Sequence, residues 1–365
     1  MKRYVPSLLM LIVFSVFPLE AENLEPLVMP SARAAGFGGI HAAQGDDFSA
    51  IFSNPASLAG IEKQWSAAEI TVSVYGPVFR LLEESIKNSG DISSVIDSEK
   101  FATGFDIGGP IAVGLVSNGF GIGFFNRTVF DVKTVSLAPE VFVALPRAWE
   151  EFLLIGGYSF RVVDQNKHIL DVGVLGKIYY RMASHQKQSF SNLGDWVFNL
   201  TDFSHETHLG LGIDLGIKYS YNNIFTIALA GYDVYSPALV TTYEKQVGHE
   251  DCSYQSYGII QPRLALGVLF NIRSDFIVMA DYRDFINLFK EDRRHPLFNL
   301  SLGMEISLLE ILKLRAGMSD LLPSGGFGID MKFMTLDVAV RGKQLGKDIG
   351  ENIALAFDVG FLFRY

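Results

Sequence analysis

The chain has 365 residues, is 49 % hydrophobic with mean hydropathy +0.24, and carries a formal net charge of −10. That acidic balance excludes nucleic acid as a partner, which requires a basic surface. The one cysteine, Cys252, excludes an intramolecular disulfide framework and a paired-cysteine metal site.

The first element is a secretory signal. Lys2 and Arg3 precede an apolar stretch from Val5 to Leu19, and Glu20-Ala21-Glu22 follows. A charged start, a short apolar core and a small residue at the cut define a cleavable leader, so residues 1–21 are expected to be removed. Downstream of it no stretch offers the roughly 20 consecutive apolar residues of a membrane helix. A chain this apolar then has either a large soluble core or a membrane β-barrel, whose alternating strands escape a hydropathy window.

Residues 22–64 are rich in Ala, Gly, Ser and Asn and show no sustained periodicity. From about residue 66 onward, period-2 segments follow one another to the end. Between Thr207 and Ser220, Leu209, Leu211, Ile213, Leu215 and Ile217 alternate with His208, Gly210, Gly212, Asp214 and Gly216. Successive strand residues face opposite sides, so this segment has one apolar and one small or charged face. The pattern predicts about fourteen strands. They lie over 67–78, 106–117, 119–132, 151–163, 168–182, 207–220, 224–236, 258–271, 275–285, 297–307, 311–318, 326–332, 335–342 and 353–364.

Every second connection is tight, as at Asn118-Gly119, 164–167, 221–223 and 271–274, which is hairpin chemistry. The others are read as longer loops over 79–105, 133–150, 183–206, 237–257, 286–296, 319–325 and 343–352. Alternating short periplasmic turns and long outer loops is the asymmetry of outer-membrane barrels. The fold class is therefore all-β, a transmembrane antiparallel barrel over 65–365, located in the bacterial outer membrane with membrane lipid as its surround. The chain ends on Phe363-Arg364-Tyr365, an aromatic closing an amphipathic strand. This resembles the C-terminal signal by which outer-membrane proteins engage the barrel-assembly machinery.

The segment from Ser31 to Ala59 resembles the mature N-terminus of the FadL superfamily of outer-membrane transporters. The matching positions are Gly36, Gly38, Gly39, Asp46, Asp47, Asn54, Pro55, Ala56 and Leu58, with Ser57 where Gly is usual. The stretch Gly325 to Ala339 is similar to the superfamily's late hairpin. The resemblance implies fourteen strands and an N-terminal plug, or hatch, formed by residues 22–64 inside the barrel. It also implies passage of long-chain fatty acids or other hydrophobic molecules. The chain is shorter than the best-known fatty-acid transporters and is similar to the compact branch, which includes FadL-like proteins of spirochaetes and PorV-type secretion partners.

A barrel of this size leaves a lumen too wide for its own side chains to close. By parity that lumen receives Lys177, Arg181, Lys218, Arg263, Arg283, Lys313, Arg315, Lys332 and Arg341. It also receives Asp171, Asp214, Asp281, Glu305, Asp330, Asp337 and Asp358. Both signs are expected on a wall that holds a polar plug. His205-Glu206-Thr207-His208 has the wrong spacing for a helical zinc site, and Gly119-Phe-Gly-Ile-Gly123 opens no helix. No nucleophile or carboxylate pair stands in a catalytic context, so neither an enzyme nor a cofactor is expected. The ligand expectation falls on the loop aromatics Phe190, Trp196, Phe198 and Phe203, which are candidates to collect an acyl chain. Arg263 or Arg283 would hold its carboxylate. Residues 79–102 are read as one or two short amphipathic helices over the rim.

Overall fold

A computed structural model of the chain describes residues 21–45, 47–77, 102–138, 141–185, 204–244, 252–290, 294–309, 311–331 and 333–364. They form a closed antiparallel barrel of fourteen staves. In chain order these are β1 (Gln64–Tyr75), β2 (Ala102–Ser117), β3 (Phe120–Ala138), β4 (Val141–Gln165), β5 (His168–His185) and β6 (His205–Tyr221). Next come β7 (Phe225–Tyr235, continuing as Pro237–Glu244) and β8 (Cys252–Ile260, continuing as Arg263–Arg273). The rest are β9 (Phe276–Tyr282), β10 (Leu300–Leu308), β11 (Leu312–Ser319), β12 (Leu322–Met331), β13 (Met334–Gln344) and β14 (Ile353–Arg364). The ladder closes where β14 pairs with β1, with Phe357 opposite Val74 and Val359 opposite Val72.

Alternation along the staves sorts side chains between lipid and lumen. On β6, Leu209, Leu211, Ile213, Leu215 and Ile217 are exposed, while His208, Gly210, Asp214 and Gly216 are buried. The same outward apolar face recurs on β5 (Val174, Ile178), β10 (Leu302, Met304) and β14 (Phe357, Val359, Phe361). A continuous apolar belt around the molecule far exceeds the few hundred Å² that a soluble surface carries, so the belt faces acyl chains. The tight turns carry the residues that tolerate a left-handed backbone: Asn118 with Gly119, Asn166, and Asn222 with Asn223 all have positive φ.

Several boundaries differ from the sequence expectation. Residues 133–150 are not a loop: β3 runs to Ala138 and β4 begins at Val141. The period-2 signal fades there because apolar residues occupy both parities, yet the Val- and Thr-rich stretch keeps its strand preference. The connection 319–325 is a two-residue turn, Asp320-Leu321, with φ of 53° and 61°. Of the expected loop 237–257, Pro237–Glu244 is strand, and the next strand begins at Cys252. The staves β9 and β10 are shorter than expected, because the chain turns into 3₁₀ segments at Ile286–Phe289 and Pro296–Asn299. The amphipathic segment expected over 79–102 falls almost entirely outside the described residues.

Two staves are broken within the wall. In β7, Asp233 takes φ of 51° and the ladder to β6 slips between Ile213 and Leu215. In β8 the break falls at Gln261-Pro262, where proline offers no amide to the ladder. The upper half of β8 then pairs in parallel with a three-residue strand, Glu22–Leu24, with Glu22 opposite Gly258 and Leu24 opposite Ile260.

Candidate functional site

The site is built where the N-terminal segment meets the inward wall. Helix α1 (Ala32–Gly36) packs on β11 to β14 and β1, and the 3₁₀ turn Pro55–Gly60 packs on β3 to β6. Contacts on both sides mean that the segment crosses the lumen. Ser31 Oγ caps α1 by accepting from Ala34 N at 3.2 Å. Asn54 caps the 3₁₀ turn by accepting from Ala56 N at 2.9 Å, while its Nδ2 donates to Ala42 O at 3.0 Å. One fully buried asparagine therefore starts the turn and ties it to the preceding loop, which is the physical content of the Asn54-Pro55 pair. The wall accommodates it at Gly216, where a Cβ would sit 2.0 Å from Asn54 Oδ1.

Gly36, Gly38 and Gly39 lie against β10 to β12. Gly38 has φ of 87°, and a Cβ on it would lie 2.4 Å from Leu302 O, so no other residue fits. Ser301 Oγ donates to Gly38 O at 2.5 Å and Ser324 Oγ to Gly36 O at 3.3 Å. Asp47 pairs with Arg33 of α1 and accepts from Ser49 N at 2.9 Å. Asp46 lies outside the described residues. Arg315 bridges Glu305 at 2.6 Å and Asp337 at 2.5 Å beneath α1.

A contact that the sequence reading did not single out is His41. Its ring is fully buried, with Nδ1 at 2.7 Å from Asp281 Oδ1 and Nε2 at 3.0 Å from Phe37 O. The ring thus ties the wall residue Asp281 to the segment's own backbone. Asp281 Oδ2 also accepts from Ala42 N at 2.7 Å. A lone histidine in an Ala- and Gly-rich segment gave no periodic signal; the approaching Asp281 was visible by parity alone.

Between segment and wall lies a cavity of about 1380 Å³, open mouth included. Its lining is apolar in part, with Leu27, Met29, Ile51, Phe52, Ile155 and Leu175. It also carries Lys177, Arg263, Arg283 and Arg341. Lys177 is held by Asp214 at 2.7 Å and Asp233 at 2.5 Å. Arg341 is held by Asp358 at 2.9 Å. Arg263 stands over the Tyr232 ring, 5.2 Å from its centroid, with Asp233 at 3.5 Å. Arg283 donates to Phe298 O and Asp320 through Nη2. Among the described residues, Arg263 Nε and Arg283 Nε are buried donors without a partner. The structure thus brings Arg263 and Arg283 to one chamber. Phe190, Trp196, Phe198 and Phe203 lie outside the described residues. Phe52 and Met29 escaped the sequence reading, although the run Phe48, Ile51, Phe52 in an otherwise small-residue segment is a usable apolar signal.

This chamber adjoins a smaller apolar one of about 640 Å³, with which it shares Met29, Pro30, Ile40 and Phe52. The smaller one ends on Gly108, Gly109 and Ala112 of β2, where the β1–β2 ladder is interrupted between Ser66 and Thr71. The arrangement suits an elongated apolar molecule with an acceptor-bearing head.

No protein-family profile and no curated protein matches the chain. Solved structures do resemble it. The Pseudomonas putida toluene transporter TodX has a TM-score of 0.52 at 10 % identity over 94 % of this chain and 99 % of its own. The Ralstonia pickettii toluene transporter TbuX gives 0.53 at 13 % identity, covering 95 % and 99 %. A Pseudomonas aeruginosa FadL homologue gives 0.51 at 14 % identity, covering 94 % and 98 %. The chain therefore has a FadL-like fold, a closed fourteen-stranded antiparallel barrel.

Proposed function

We propose that the protein is an outer-membrane passage for hydrophobic compounds, with long-chain fatty acids as its substrates. In this reading residues 1–21 are a cleaved signal peptide and residues 22–64 are the plug that gates the lumen. The observation that carries it is the chamber, whose lining combines apolar side chains with two arginines that each keep an unused buried Nε–H. The likeness to barrels named as toluene transporters supports hydrophobic cargo in general. An acyl chain gains about 0.8 kcal/mol per buried methylene, so about eight methylenes contribute roughly 6 kcal/mol before association costs of several kcal/mol. Micromolar binding then needs an anchored head group, which is the role assigned to Arg263 and Arg283. The aromatics Phe190, Trp196, Phe198 and Phe203 would collect the chain at the outer mouth.

Calorimetry on the detergent-folded barrel tests this with hexadecanoic acid against its methyl ester. The wild type should bind the acid more tightly. Arg263→Met and Arg283→Met should each lose about 1.5–3 kcal/mol, a charged hydrogen bond, on the acid and little on the ester. Unchanged affinity in a Trp196→Ala, Phe198→Ala double mutant would remove that loop from the site. Absence of binding by the wild type would favour a PorV-like barrel serving a protein partner. One feature suits that second reading: β3 and β4 have 19 and 25 residues, far beyond the membrane, and their hairpin offers a surface outside it.

A further inference from the structure

The staves are unequal. A transmembrane strand needs about 9–11 residues, yet β9 and β11 have 7 and 8, and β10 between them has only 9. At a rise of about 3.3 Å per residue and a tilt near 40°, a seven-residue stave climbs roughly 18 Å, short of an apolar band about 25 Å tall. On this flank the strands alone do not cover the hydrocarbon.

The residues just beyond the strand ends are apolar at both rims. At the short-turn rim Leu309 is 92 % exposed, Phe333 64 % and Ile311 54 %. At the opposite rim Phe289 is 87 % exposed and Leu297 48 %. The short turns of the other flank place asparagine or glycine at their left-handed positions, at Asn118-Gly119, Asn166 and Asn222-Asn223, although Ile224 beside the last is also half-exposed. Leu309 takes φ of 52°, a backbone that suits asparagine or glycine and costs a bulky residue sterically. An apolar side chain held in that conformation and left in water would be unfavourable twice over.

We infer that on the β9–β12 flank the exposed apolar side chains of the connections reach into acyl chains, with Leu309, Ile311 and Phe333 completing the apolar band at one rim and Phe289 and Leu297 at the other. This rests on reading the molecule as a membrane barrel. Three observations favour lipid over a protein cover. The exposed Leu308, Leu309 and Ile311 follow in chain on the outward residues Leu302, Met304 and Leu314, and Phe333 follows on Phe327. The two apolar rims lie at opposite ends of the same staves, so no single soluble partner reaches both. Backbone groups at the ends of the turn are paired within the protein, Ile311 N donating to Leu308 O at 3.3 Å and Asp330 N to Ile311 O at 2.7 Å. That internal satisfaction is what hydrocarbon demands of a turn.

Spin labels decide the matter on the full mature chain folded into dimyristoylphosphatidylcholine vesicles, in a Cys252→Ser background. Labels go at Leu309→Cys and Phe333→Cys, with Leu211→Cys as the lipid-facing standard and Asn166→Cys as the aqueous one. Relaxation by oxygen and by a water-soluble nickel chelate is compared, after a heat-shift gel shows each variant folded. Labels at 309 and 333 should match 211, with oxygen access several-fold above nickel access. Values matching 166 at both positions would overturn the inference. Exclusion of both reagents would overturn it too, because it would mean a protein cover such as a second copy. If Leu211 itself proved nickel-accessible, the barrel reading would fail instead, which separates the two claims.

Discussion

Replacing Asp281 by alanine should loosen the N-terminal segment while leaving the barrel closed. Asp281 accepts from His41 Nδ1 and from Ala42 N, both at 2.7 Å, and both donors are buried. Its removal leaves the His41 ring and a backbone amide without that acceptor in the lumen. Leaving a buried hydrogen-bonding group unsatisfied costs about 1–3 kcal/mol. If the cost for both groups falls on docking of the segment alone, its open population rises by roughly one to four orders of magnitude, at about 1.4 kcal/mol per factor of ten. Amide hydrogen exchange of the peptide covering residues 37–44, read by mass spectrometry on the detergent-folded protein, reports that population directly. Peptides from β5 and β6 should keep their protection. Asp281→Asn, which retains an acceptor oxygen for Ala42 N, should fall between. Asp275→Ala is the control, since its pair with Arg273 is exposed and worth at most about 1 kcal/mol. Exchange at 37–44 no faster in Asp281→Ala than in this control would refute the reasoning.

Gly38→Ala should act on the same segment, because the new Cβ meets Leu302 O and the positive φ is lost to alanine, at a combined cost of about 2–5 kcal/mol; the same exchange experiment reads it. Lys177→Met leaves Asp214 and Asp233 facing each other without their cation and should lower stability by about 3–5 kcal/mol; urea-induced unfolding measures this, and adding Asp233→Asn should restore part of it. Ile155→Ala, in the apolar wall of the chamber, should cost about 2–5 kcal/mol, and a midpoint unchanged from wild type would contradict its burial. Intact-mass analysis of protein purified from outer membranes should find a chain beginning at Glu22; a mass that retains residues 1–21 would contradict the leader assignment.

The barrel was legible because lipid and lumen impose opposite demands on neighbouring residues, and β6 records them one position at a time from Leu209 to Ile217. The tight turns were legible for a different reason: Asn118-Gly119 and Asn222-Asn223 are chemical signatures of a left-handed backbone. Where both parities are apolar, as between 133 and 150, the alternation disappears and the long β3–β4 hairpin went unseen. The break at Asp233 has no sequence signature, since nothing in Gly-Tyr-Asp-Val marks a residue forced to positive φ by its neighbours. For the site, parity correctly turned Arg263 and Arg283 inward. It could not show that they share one chamber, because convergence of distant staves depends on barrel closure. The pairing of His41 with Asp281, 240 positions apart, belongs to the same class of unreadable facts.

The path of the N-terminal segment has a topological consequence. Its start pairs beside Gly258, toward the long-loop end, and its finish meets the opposite rim, where Asn118 N donates to Ile61 O. It is therefore a thread running lengthwise through a ring whose last join is the β14–β1 seam. A thread of this kind cannot slip in sideways once the seam is sewn; it passes end-on through a mouth, or the staves close around it. A folded domain fused ahead of Glu22 has to leave through the outer mouth, and it should stall assembly far more than the same domain placed in an outer loop.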